Sequence, residues 1–143
     1  MILRIDDNDI ENLWQENGFK DSFINLFENA IKYNTQILVT ANGRAIGKST
    51  ILEEVCFLAQ IVYEKKVILI TKYPKNEYVC NKLLNFGEPN INTEIASFSA
   101  DNDNYIIVVD EVEDIRYSER LASVYNYAKS RSIPMFGFMR TVR

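Results

Sequence analysis

The run Tyr105-Ile106-Ile107-Val108-Val109 leaves this chain few folds to choose from. Its consecutive apolar and aromatic residues, bounded by polar ones, offer no solvent-facing side. A strand built from them must be covered on both faces, which is the condition of a strand inside a parallel sheet. Val67-Ile68-Leu69-Ile70 repeats the pattern. Segments of helical spacing lie between such runs, and that alternation implies a parallel sheet with helices on both faces and right-handed crossovers. The expected fold class is therefore α/β, a three-layer sandwich around a mainly parallel sheet.

Along the chain, Ile2–Ile5 reads as a short strand. Asp9 caps a helix from Ile10 to Glu16 that Asn17-Gly18 ends. A helix from Asp21 to Tyr33 places Phe23, Ile24, Leu26, Phe27, Ala30 and Ile31 at helical spacing. Gln36–Thr40 is a strand, followed by a loop and a helix that runs to Glu64. Val67–Thr71 is the next strand. Asn76–Phe86 reads as a helix closed by Gly87, Ile91–Ser99 as an alternating strand, and Ser99–Asn104 as a loop. The Tyr105–Asp110 strand follows, then a helix over Ser118–Arg131 and a last strand through Met139.

At 143 residues, 47% of them hydrophobic, the chain has material for one domain with a real core. Residues 1–143 are expected to form that domain, with 1–34 an N-terminal strand and helical segment and 35–143 the core. No apolar stretch approaches the ~20 residues of a membrane span. The start lacks the pattern of a signal peptide, so a cytoplasmic location is the default. The two cysteines, Cys56 and Cys80, fall in separate expected helices and read as reduced core thiols. Histidine is absent, which excludes His-based metal sites and His-dependent triads. The net charge of −4 is unlike that of a dedicated nucleic-acid binder. Basic residues nevertheless gather late in the chain (Arg116, Arg120, Lys129, Arg131, Arg140, Arg143), as a rim for phosphates or as a solvated face.

Between the strand Gln36–Thr40 and the helix beginning near Ile51 lies Asn42-Gly43-Arg44-Ala45-Ile46-Gly47-Lys48-Ser49-Thr50. A loop of this kind, set between strand and helix, wraps a phosphate in backbone N–H groups at the positive end of the helix dipole. Lys48 reaches the β- and γ-phosphates, and the Ser49 hydroxyl holds Mg²⁺. Asn42 stands where the pattern G-x-x-x-x-G-K-[ST] has its first glycine, and asparagine tolerates positive φ better than most residues. The strand Tyr105–Val109 leads into Asp110-Glu111. Ligands bind at the carboxyl ends of strands in open α/β sheets, so Asp110 is placed near the Mg²⁺ and Glu111 near an attacking water.

With both motifs in this order, the chain resembles the P-loop NTPases of the branch that carries a catalytic glutamate beside the second-motif aspartate. Gln36–Thr50 resembles the Walker A strand and loop, and Tyr105–Glu111 the Walker B strand. Arg44 inside the loop makes it similar to the phage DNA-packaging ATPases, the terminase large subunits. The resemblance implies a P-loop NTPase fold, ATP and Mg²⁺ as ligands, and an association of Arg44 with hydrolysis. It also implies a strand inserted between the two motif strands. Met135–Met139 is the candidate, and it would bring Arg140 and Thr141 beside the γ-phosphate. Relatives add a further helix and strand, and packaging motors a nuclease. Neither follows Arg143, so an ATPase core, a fragment or a minimal version is expected, one that does not cut DNA itself. In a minimal version Ile2–Ile5 pairs with Gln36–Thr40 and protects that edge.

The function expected on this basis is Mg²⁺-dependent ATP hydrolysis by a motor subunit, with double-stranded DNA and copies of the same chain in a ring, or another protein, as partners, in the host cytoplasm if viral. Arg116, Arg120 and Arg131 are candidates to reach a neighbour's site. A nucleotide-binding assembly or regulatory module with little hydrolysis is the alternative. A small-molecule kinase is a third, against which Tyr73–Asn90 is too short and too acidic-neutral for the arginine-rich lid such enzymes need.

Overall fold

The computed structural model describes residues 1–5, 19–41, 48–72, 80–101 and 104–140. Its strands are β1 (Ile2–Ile5), β2 (Gln36–Ala41), β3 (Lys66–Thr71), β4 (Lys82–Asn85), β5 (Tyr105–Glu113) and β6 (Met135–Arg140). They form one six-stranded sheet in the order β1-β2-β6-β5-β3-β4. Every neighbouring pair is parallel. The described helices are α1 (Phe19–Tyr33), α2 (Lys48–Ile61), α3 (Ile91–Asp101) and α4 (Glu119–Ser130), with a 3-10 turn at Ile115–Tyr117 before α4.

Successive strand side chains point to opposite faces, and the two sets build separate cores. Ile37, Val39, Val67, Leu69, Ile106 and Val108 pack with Phe136 and Phe138 under α1 and α2. Here Phe23 meets Phe138 edge to face at 5.1 Å. Leu38, Ile68, Ile70, Ile107, Val109 and Met135 face the other way, under Ile91 and Ile95 of α3 and Leu121, Val124 and Ala128 of α4. The chain crosses the sheet in one direction through α1 and α2 and returns through α3 and α4. Using one face for each direction is what a constant crossover handedness requires.

Both expectations about strand placement hold. β6 stands between β2 and β5, and β1 covers the outer edge of β2 in the register Ile2↔Leu38 to Ile5↔Ala41. Two element assignments are corrected. Within Asn76–Phe86, expected to be helical, Lys82–Asn85 is strand β4, and Cys80 precedes that strand rather than lying in a helix. A four-residue edge strand is too short to show a period of its own. Ile91–Ser99, expected as a strand, belongs to α3. Ile91 and Ile95 are buried and Phe98 packs beside them, an i, i+4, i+7 stripe. The Asn90 carbonyl accepts the first helical bond from Glu94 N–H at 3.0 Å. Ser99 to Asp101, expected in a loop, thus close this helix. The expected helix Ile10–Glu16 lies outside the described residues. No described helix is long and apolar enough to cross a membrane.

Candidate functional site

The topology itself marks one crevice. From β2 the chain departs over the face of α1 and α2, and from β5 over the opposite face, into α4. The crevice between diverging connections lies at the strands' carboxyl ends, here above β6. β6 ends there at Arg140, flanked by the ends of β2 and β5.

Of the sequence-derived residues, Lys48 opens α2 and is half-buried, and Thr50 is exposed. Ser49 lies in the first turn of the same helix. Asn42, Gly43, Arg44, Ala45, Ile46 and Gly47 lie outside the described residues, as does Thr141. Asp110 pairs with Thr71 of β3 and is half-buried. It follows Ile106 and Val108 in the alternation that faces α2. Its charge is felt there: burial pushes the Cys56 thiol of α2 up to about 12, and the charges of Cys80 and Asp110 push the same way. Asp110 and the helix that begins at Lys48 therefore share one side of the sheet. Cys56 and Cys80 are both free thiols.

The carboxylate pair does not end its strand, as the sequence suggested. β5 runs on to Glu113, and its pairing with β6 changes step between Val109↔Gly137 and Val112↔Met139. Three residues of β5 are spent against two of β6, so one residue is extra. Val109 and Val112 consequently face the same core although they stand three positions apart, a step that in a regular strand would put them on opposite faces. This bulge falls on Asp110-Glu111. Bulges recur beside active sites because they re-aim a side chain that simple alternation would fix.

A second cluster at this edge was not found by sequence reasoning. Asp114, directly after β5, is wholly buried. Its carboxylate accepts from Thr40 Oγ1 of β2 at 2.9 Å, from Arg4 Nη2 of β1 at 3.0 Å and from Arg116 N–H at 2.9 Å and Nε at 3.2 Å. Asp114 N–H donates to the Arg140 carbonyl of β6 at 3.0 Å. Burial alone would raise this carboxyl's pKa. The hydrogen bonds from Arg116, Arg4 and Thr40 outweigh it and hold the group well below the usual carboxylate range. The only local signal was one more acid in the run Asp110-Glu111-Val112-Glu113-Asp114. Its partner Arg4 lies at the other end of the chain.

The arginines expected to reach a neighbour's site are engaged within their own chain. Arg116 sits on Asp114, Arg120 Nη1 donates to the Phe86 carbonyl at 2.8 Å, and Arg131 stacks on the Tyr127 ring at 4.3 Å. A groove of about 620 Å³ opens between Asn92, Glu113, Tyr117, Arg120 and Ser123. It belongs to the α3 and α4 side, away from the face that Lys48 and Asp110 share. Among the described residues no group of three or more Cys, Asp or Glu is gathered as for a metal ion. Comparison with protein-family models, curated proteins and solved structures yields no match.

Proposed function

We propose that this chain is a Mg²⁺-dependent P-loop ATPase domain of the catalytic-glutamate branch, serving as a subunit of a DNA-translocating motor of the phage packaging type. The observation that supports it best is the strand order, in which β6 separates the strand leading to Lys48 from the strand carrying Asp110 and Glu111. That order rests on long-range pairing, which neither sequence motif encodes. The shared face of Lys48 and Asp110 agrees with it, as does the bulge at the carboxylate pair.

In this reading Asn42 to Thr50 wrap the phosphates, and the start of α2 adds its dipole. Water attacks the γ-phosphorus in line, the bond to the bridging oxygen breaks, and ADP leaves. Glu111 orients that water and takes up its proton, while Lys48 and Arg44 offset the charge on the transferring group. Ser49 and Asp110 are the residues that would hold Mg²⁺, which supplies further charge neutralisation. A hydroxyl and a half-buried carboxylate at the sheet edge suit an ion that takes few protein ligands and completes its shell with water and phosphate oxygens.

The test is ATP turnover with Mg²⁺, with and without double-stranded DNA, at two protein concentrations. Wild-type turnover should rise with both. Lys48→Ala should weaken ATP binding and lower turnover by about 100-fold or more. Glu111→Gln should bind ATP and stall. Normal turnover by Glu111→Gln would remove its role as water positioner. Binding without turnover under any condition would favour an assembly module over a motor.

A further inference from the structure

The two strands that carry the proposed chemistry do not touch. β2 and β5 each pair with β6, which keeps them two strand spacings apart, or about 9–10 Å. At the carboxyl edge a side-chain contact between described residues spans that gap. Thr40 Oγ1, on β2, donates to Asp114 Oδ2, at the end of β5, at 2.9 Å. The β6 strand is fastened beneath the span, because its Arg140 carbonyl accepts from Asp114 N–H. Thr40 precedes the phosphate loop by a single residue, Ala41, and Asp114 lies three residues after Glu111.

We propose that Thr40 and Asp114 form a clamp that sets the separation between the phosphate-binding loop and the Asp110-Glu111 bulge. They are positioning residues rather than catalytic ones, and the inference rests on the ATPase reading above. The bulge gives such a device a task. A bulged strand loses regular pairing where its extra residue sits: Asp110 stays paired to Thr71 of β3, but the β5–β6 ladder skips Asp110-Glu111 and resumes at Val112↔Met139 and Glu113↔Arg140. At the next residue the clamp adds a tie from β5 directly to the strand that delivers the loop. Its members suit the task. Asp114 and Thr40 are both buried, and Arg4 and Arg116 both hold the carboxylate through its Oδ1. The Thr40 hydroxyl therefore faces a fixed, charged acceptor, the stronger kind of hydrogen bond.

The clamp should matter for contacts that need both strands and not for those made by the loop alone. In that reading the loop grips phosphates without help from β5, whereas Ser49 and Asp110, the residues that would hold Mg²⁺, would have to stand in register to do so. The experiment measures the affinity of a fluorescent ATP analogue with Mg²⁺ and with EDTA, together with ATP turnover, for wild type, Thr40→Val and Thr40→Ser. Thr40→Val keeps the side chain's shape and removes the donor. It should leave the EDTA affinity within about twofold, reduce the Mg²⁺-dependent gain in affinity, and lower turnover by about tenfold, as a small misplacement of reacting groups does. Thr40→Ser, which restores the hydroxyl, should recover most of both. Thermal melts of each variant report the folded fraction.

An unchanged Mg²⁺ gain and turnover in Thr40→Val would overturn the clamp. So would a parallel loss of EDTA and Mg²⁺ affinity that tracks a lowered melting temperature, since that is what a purely structural contact gives. Wild-type protein that binds no nucleotide in either condition would sink the ATPase reading, and the positioning role with it. Nucleotide binding by wild type together with an indifferent Thr40→Val would remove the clamp alone.

Discussion

Gly137 shows how little room the sheet leaves beside the proposed chemistry. It lies on β6 between Leu38 and Val109, one step before the β5 bulge. A Cβ added there would stand 2.2 Å from the Val109 carbonyl oxygen and 2.7 Å from its backbone nitrogen. Both obstacles are main-chain atoms of the central strand, so no rotamer change relieves them. Gly137→Ala must push β5 away from β6 at the residue before Asp110. The expected cost is about 1–3 kcal/mol, as for other overpacked sites, read as a lowered urea midpoint with unchanged slope. Nucleotide affinity in the presence of Mg²⁺ should fall with it. Equal stability of the alanine variant would mean that the strands are not packed this closely. Asp114 teaches the complementary lesson: a surface-like residue type is buried because Thr40, Arg4 and Arg116 together satisfy it.

Among the elements, α4 has the clearest local cause. Ser118 is its N-cap, and its Oγ accepts from Leu121 N–H at 3.1 Å. Ser118→Ala should cost about 1 kcal/mol, measurable as a lower melting temperature with the fold retained. A neutral outcome would mean that packing of Leu121, Val124 and Ala128 alone holds the helix. The sequence announced this element through its apolar stripe, Leu121, Val124, Tyr125 and Ala128 at helical spacing. It also announced β2, β3 and β5, whose unbroken apolar runs follow from burial on both faces, whereas the interposed position of β6 was expected only from the family resemblance. It misassigned β4 and α3. Their short mixed runs, Lys82–Asn85 and Ile91–Ser99, satisfy more than one period, and only packing against β3 and α4 decides between them. The bulge at Asp110-Glu111 was illegible for a related reason. It is a mismatch of step between two strands, and one strand read alone contains no trace of it. The clamp escaped because a contact between Thr40 and Asp114 exists only once β6 has been inserted between their strands.

At the level of the whole molecule, one end of the sheet concentrates the constraints. The carboxyl ends of β1, β2, β6 and β5 meet at Asp114, whose carboxylate ties β1 and β2 to the end of β5 while its backbone N–H holds β6. Its linkage to stability has a definite sign. In the unfolded chain the group takes up a proton near its ordinary pKa of about 3.9, whereas in the folded protein its pKa lies well below that. Below the ordinary value the unfolded state binds more protons than the native state. Stability therefore rises with pH through this window and falls as the pH drops toward the lower, native pKa. The contribution of Asp114 is fully present above about pH 5 and is withdrawn progressively from about pH 4 downward. Asp114→Asn leaves Arg4 and Arg116 facing a neutral amide, and should be less stable than wild type at pH 7 by about 1–3 kcal/mol. The deficit should shrink by pH 3, because acid takes from the wild type what the substitution has already removed. Urea denaturation of both proteins at the two pH values measures it. A deficit that stays constant would mean that the carboxylate's charge contributes nothing to closing the edge, and that the clamp depends on shape and neutral hydrogen bonding. A deficit that narrows as expected identifies the ionised carboxylate as the fastening that ties the strand of the phosphate loop to the strand of the acidic pair.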